Sequence, residues 1–195
     1  NHIIKKLNLK PGQKVLDIGC GWGAMCFEIA KQSECEVTGV TLSKNQYEYC
    51  IKKSKELKID NQCHFQLLDY RHLKGKFNRI VSVGMLEHVG RKFYKTFFKK
   101  INDLMTEDGL SLIHTIGSTE PKGPPQPFIQ KYIFPGGLVP SGSDLVDAVE
   151  KTNLILSDME SLIHHYDKTL KAWLDRFMQN KEKAMDLYNK EFVKM

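Results

Sequence analysis

An apolar run, an acid and then three glycines at every second position, Val15-Leu16-Asp17-Ile18-Gly19-Cys20-Gly21-Trp22-Gly23, constrain this chain more than any other stretch. The pattern predicts a buried strand, a tight turn and a helix opening at Ala24. Glycine is required where the backbone takes positive φ or where a ligand approaches it closely. The helix N-terminus that follows offers free N–H groups to an anion. Together these features predict a nucleoside-binding turn. Gly19-x-Gly21-x-x-Ala24 also fits the dinucleotide fingerprint. The acid that would hold a ribose about 20 residues on is missing, because the next strand runs Val37-Thr38-Gly39-Val40 into Thr41-Leu42-Ser43. Asp17, two positions before the first glycine, is placed to face a cationic ligand group.

Alternating strand and helix signals extend that turn into an α/β chain. Strands are predicted at 14–19, 36–40, 64–68, 79–84 and 110–116, with a sixth at 154–162. Helices are predicted at 24–32, 93–105, 143–152, 168–179 and 181–193. A further helix opens at a capping box of Ser43 and Gln46 and runs to about Leu57. Phe93, Phe97 and Phe98 are read as core. The Gly/Pro-bearing stretch 117–140 is long enough to be a functional loop on the substrate side. At 195 residues with 41% hydrophobic content the chain suits a single domain, 1–195, that buries its own core. No run of about 18 apolar residues is present, and Asn1-His2-Ile3-Ile4-Lys5-Lys6 does not read as a signal peptide. The five cysteines, all between Cys20 and Cys63, have neither C-x-x-C spacing nor a disulfide framework, which points to free thiols and the cytoplasm. A net charge of +6 suits an anionic surface or simply a solvated basic face. No base-stacking module accompanies it, so nucleic acid is not expected.

The D-x-G-x-G-x-G form resembles motif I of class I S-adenosylmethionine-dependent methyltransferases. The segments VLDIGCGWG (15–23), GVTLSKNQ (39–46), LLDYRHL (67–73), RIVSVGMLEHVG (79–90), LIHTIGS (112–118), KYIFPGG (131–137) and HYDKTLKAW (165–173) together resemble the cyclopropane-fatty-acyl-phospholipid synthase family and its mycolic acid branch. The resemblance spans almost the whole chain in order. It implies a doubly wound Rossmann-like methyltransferase sheet. That fold carries a seventh, C-terminal strand, which is not found here, so the chain is read as the central part of a longer protein. Such a piece, with open sheet edges, is expected to be fragile.

The resemblance also assigns the cofactor, S-adenosylmethionine. Asp17, Gly19, Gly21 and Gly23 take the methionine moiety, Thr41, Leu42, Ser43 and Gln46 lie near the ribose, and Asp69 and Tyr70 near the adenine. Thr41 and Ser43 equally suit turn and capping chemistry, and Gln46 serves either as a capping partner or as a ribose ligand. The implied reaction adds a methylene bridge across a cis double bond of an unsaturated phospholipid acyl chain. An alkene is a weak nucleophile and needs a sulfonium methyl held in line with its π-bond. The charge left on the acyl chain calls for aromatic faces, for which Tyr132, Phe134 and Trp173 are candidates. Ring closure then needs a base. By resemblance Glu87, His114, Tyr166 and the backbone of Ile116 cradle a bicarbonate ion in that role. A lone His is otherwise an ordinary core residue, whereas the LIHTIG setting favours the site. The family's bicarbonate-binding cysteine segment lies outside this sequence, and none of the five cysteines takes its role. The resemblance further implies a cytoplasmic enzyme, peripheral to the inner face of an anionic membrane, with a homodimer as a possible assembly. The alternative is a methyltransferase on the same scaffold acting on a small amine or on an acyl chain without ring closure.

Overall fold

The computed structural model describes the chain except Lys122, Pro125, Gln126, Phe134, Met195 and the side chain of Ile133. Phe134, a candidate for the apolar cavity, therefore lies outside the described residues.

Five strands form one sheet: β1 (Lys14–Ile18), β2 (Glu36–Thr41), β3 (Cys63–Leu67), β4 (Phe77–Val83) and β5 (Met105–His114). Their order is β3-β2-β1-β4-β5 and every neighbouring pair is parallel. A parallel sheet is covered on both faces, and alternate residues of each strand show how. Val15, Val37, Phe65 and Val81 pack with Leu7 of α1 (His2–Leu7), Phe27 and Ile29 of α2 (Ala24–Gln32) and Cys50 of α3 (Lys44–Glu56). Leu16, Ile18, Val40 and Ile80 pack on the other face with Phe97, Phe98 and Ile101 of α4 (Tyr94–Leu104) and Ala148 and Val149 of α5 (Gly142–Glu150). This is the doubly wound arrangement. The direction of winding reverses between β1 and β4, and in such sheets ligands bind beyond the carboxyl ends of the strands at that reversal. Phe93 departs from the predicted core: it precedes α4 and is 56% exposed.

β5 starts earlier than its apolar run. Met105 pairs with Phe77, the register then shifts, and Leu110 pairs with Arg79. His114 closes the strand opposite Val83.

Three expectations are corrected. Leu154–Leu162 forms no strand and joins no ladder among the described residues, and Ile155 is 90% exposed. Its apolar pattern has no ladder to join, and cross-strand pairs are what hold a strand together. The predicted helix 181–193 is two, α7 (Lys181–Leu187) and α8 (Lys190–Lys194), while α6 spans Ile163–Gln179 and so includes Tyr166, which the sequence placed just after a strand. The capping box at α3 is half made. Ser43 accepts from the Gln46 N–H at 3.4 Å, but the Gln46 side chain turns to Thr41, accepting its hydroxyl at 2.8 Å. The Ser43 N–H goes to Thr41 Oγ1 instead, at 3.2 Å.

The chain divides into two compact units, Asn1–Ile155 and Leu156–Met195. In the second, α6 carries Tyr166 and Trp173 with ring centroids 6.5 Å apart, edge to face.

Candidate active site

The turn after β1 has the geometry its glycines predict. Gly19, Gly21 and Gly23 all take positive φ, +76°, +55° and +79°. Gly19 is required twice over, because a Cβ there would lie 2.7 Å from Met85 Cγ. That contact packs the turn after β1 against the segment after β4. At Gly21 a Cβ would meet nothing within 4 Å, so the turn is open there. The N–H groups of Gly19 and Cys20 both donate to Val40 O at 3.0 Å, which fixes the turn to the end of β2.

Asp17 lies beneath the turn and is 2% exposed. Its Oδ2 accepts the Cys26 thiol at 3.4 Å. Burial, followed by the negative charge of Cys20, pushes its carboxyl up to about 7, and the Cys26 hydrogen bond only partly offsets this. A carboxyl held that high gains from an approaching cation, which suits a group receiving an ammonium.

Leu42, at the end of β2, is 73% exposed. Gln46 points its amide back to the β2 end through its bond to Thr41. Asp69 is engaged by Arg71, which reaches it from its backbone N–H and its guanidinium at 2.6–3.0 Å. That bond, with burial opposing it, holds the Asp69 carboxyl below the usual range. Asp69 thus caps the short turn Tyr70–His72, and Tyr70 packs edge to face on Phe97.

Beyond β4 the chain makes a single turn, Leu86–His88, that buries Glu87 to 9% exposure. Its Oε1 accepts the Ile116 N–H at 2.6 Å, across from the β5 end. Its Oε2 is buried and has no hydrogen-bond partner among the described residues. Its backbone carbonyl accepts from Leu138 N–H at 2.9 Å. His114 is exposed at the β5 terminus, its carbonyl accepting from Gly84 N–H at 2.9 Å. Glu87, His114 and Ile116 are thus gathered at the carboxyl ends of two adjacent strands. Tyr166 sits in the first turn of α6 in the second unit, 36% exposed. Tyr132 is half exposed, with Lys131 Nζ 5.0 Å from its ring centroid and Phe128 beside it.

Three contributors escaped the sequence reading. Met85 fills the space Gly19 vacates, Cys26 holds Asp17, and Leu138 anchors Glu87. Leu138 follows the KYIFPGG segment by one residue, and Met85 lies inside GMLEH, so both were in view without a local signal for their contacts.

The Mycolic acid cyclopropane synthetase family matches residues 1–195. The chain belongs to this family. Cyclopropane-fatty-acyl-phospholipid synthase of Escherichia coli (strain K12) is 39% identical over 193 residues, 99% of this chain and 49% of the enzyme. The chain therefore spans about half the length of that relative. Among solved cyclopropane synthases, MmaA2 of Mycobacterium tuberculosis superposes with a TM-score of 0.84 at 31% identity, covering 98% of this chain and 72% of that one. Mycolic acid cyclopropane synthase CmaA1, solved with S-adenosylhomocysteine (SAH) and CTAB, gives 0.84 at 30% identity with the same coverage. The family's methyltransferase fold is the one described above.

Proposed function

We propose that this chain forms the S-adenosylmethionine-binding and base-holding part of an enzyme that converts a cis double bond of an unsaturated phospholipid acyl chain into a cyclopropane ring. The observation that carries the reading is the Glu87 carboxylate. One oxygen is held by Ile116 N–H, while the other is buried at the carboxyl ends of β4 and β5 and unpartnered among the described residues. Leaving a buried acceptor unmade costs about 1–3 kcal/mol, so a donor is called for. A bicarbonate ion fits: its O–H can donate to Glu87 Oε2, which turns two neighbouring anions into a hydrogen-bonded pair. When bound, S-adenosylmethionine supplies an electrophilic sulfonium methyl and bicarbonate supplies a base.

The chain's own residues then have distinct tasks. The Gly19–Gly23 turn and Asp17 receive the methionine end of the cofactor. Leu42, Gln46 and Tyr70 shape the place for its nucleoside, with Thr41 holding the Gln46 amide and Ser43 capping the helix that carries it. Asp69, braced by Arg71, keeps acceptor capacity for the adenine amino group. Glu87 orients the base through Oε2. Ile116 N–H fixes Glu87 in turn, and His114 and Tyr166 are assigned to the same anion by family resemblance. The loop 117–140 is assigned to the substrate side. Docking of the basic surface on the inner face of an anionic membrane presents that substrate, as a peripheral cytoplasmic protein or homodimer would do.

The test is mass spectrometry of lipids after incubating the protein with unsaturated phospholipid vesicles and S-adenosylmethionine, with and without bicarbonate. The expected result is one added CH2 per acyl chain, with loss of the olefin and dependence on bicarbonate. Glu87→Gln should lower turnover at least about 100-fold, in the range of losing a positioned acid–base group, while SAH affinity stays within about twofold. SAH binding without lipid modification would overturn the ring-forming reading in favour of another acceptor.

A further inference from the structure

Four of the five cysteines surround the cofactor turn, although they come from the turn, two helices and a strand. Cys20 Sγ and Cys50 Sγ both approach the carbonyl oxygen of Gly21, at 3.9 and 3.6 Å. Cys50 Sγ also occupies the space a Cβ on Gly23 would take, 2.9 Å away. The glycine at 23 thus lets the sulfur of α3 reach under the turn. Cys26 is tied to Asp17, and it lies in one buried cluster with Cys20, Cys50 and Cys63. All of these cysteines are free and buried. Among the described residues no three His, Cys, Asp or Glu side chains are arranged to hold a metal, so the cluster is a thiol site.

We propose that Cys20 and Cys50 form an oxidisable dithiol whose closure to a disulfide weakens cofactor binding at the adjacent glycine turn. The inference rests on that turn being the S-adenosylmethionine site. Two features suit Cys20 to react first. Hydrogen bonds from Cys26 and then Cys50 hold its thiol well below the usual range, against the effect of burial. It also has 7% exposure, whereas Cys26 and Cys50 have none. Cys50 is the resolving partner, because Cys26 is engaged by the Asp17 carboxyl, whereas Cys50 converges with Cys20 on the Gly21 carbonyl.

The chemistry balances with a hydroperoxide. The Cys20 thiolate attacks the O–O bond and takes its terminal OH to become a sulfenic acid, and the expelled alkoxide or hydroxide regains the proton the thiol had lost and leaves as alcohol or water. Cys50 sulfur then attacks Cys20 sulfur, forming S–S, and the sulfenic oxygen leaves as water with the Cys50 proton. The two thiols supply the two electrons that reduce the peroxide. A bond of about 2 Å then joins two sulfurs that each lie beside the Gly21 carbonyl, which draws the turn toward α3. Trp22 of the turn and Tyr49 of α3 stand edge to face with centroids 5.3 Å apart, both exposed, and they report such a movement.

The experiment titrates the reduced protein with hydrogen peroxide, followed by non-reducing peptide mapping, calorimetric SAH binding and Trp22 fluorescence in a Trp173→Phe background. A Cys20–Cys50 disulfide is expected, with a changed Trp22 emission and an SAH Kd at least about tenfold weaker, all reversed by dithiothreitol. Cys50→Ala should bind SAH as the wild type does and be insensitive to peroxide. Another pairing, over-oxidation without a disulfide, or a Cys20–Cys50 disulfide that leaves SAH affinity unchanged would each overturn the proposal. Reduced protein that binds no SAH would overturn the cofactor reading, and the peptide map would still decide the dithiol.

Discussion

Asp17 shows at the scale of one residue what it costs the fold to bury an acid beneath the glycine turn. Its carboxyl holds a proton up to about pH 7 in the fold, whereas an unfolded Asp releases it near pH 4. Between those values the folded state binds the extra proton, so its stability falls as pH rises from about 4 to about 7 and levels off above. Asp17→Asn removes the charge and should therefore raise the urea midpoint at pH 8, by about 2 kcal/mol or more in stability. The gain should vanish toward pH 4. A variant less stable than wild type at pH 8 would mean the buried carboxylate already has a compensating partner. The motif made Asp17 visible in the sequence, but its environment was not, because Cys26 meets it only once α2 has folded back across β1.

Among the elements, α5 gives the clearest case of local chemistry deciding a boundary. Ser141 and Asp144 form a complete capping box, each side chain bonded to the other's backbone N–H. Arg91 pairs with the same Asp144 at 2.9 Å. Ser141→Ala should cost about 1–2 kcal/mol, read as a lower urea midpoint at an unchanged denaturant slope. No change would mean that Arg91 and the first turn suffice. The helix start was predicted at Ser143, one residue late, since Ser141, Gly142 and Ser143 all suit a cap. The five strands were legible because both faces of a parallel sheet are buried, which makes each strand an apolar run between turn residues. Leu154–Leu162 carries the same composition without a neighbour to pair with, and composition does not report a missing neighbour. The capping box of α3 was half legible for a similar reason: Thr41 outcompetes Ser43 for the Gln46 side chain, and only the folded turn sets that contest. Glu87 and Ile116 were linked by family resemblance alone, since 29 residues separate them and strand order brings them together.

For the molecule as a whole, the proposed docking on anionic lipid rests on the net charge of +6 and carries its own test. No helix among the described residues is long and apolar enough to cross a membrane. Binding to vesicles rich in anionic lipid should therefore fall steeply between about 50 mM and about 500 mM NaCl, as screening shortens the reach of surface charge. Sedimentation of vesicles at the two salt concentrations measures it, and equal binding would point to apolar insertion instead. The long loop beside the site adds a constraint of a different kind. Its two ends are pinned together: Ser118 N–H donates to Pro140 O at 2.8 Å, and Ser118 bridges to Ser141. Closing a loop is the step whose entropy grows with its length, and only slowly once the ends are joined. Leu138 lies between those pins, and its N–H ties the loop to the Glu87 carbonyl at 2.9 Å. A change of loop length that spares Leu138 leaves the Glu87 carboxylate where Ile116 holds it.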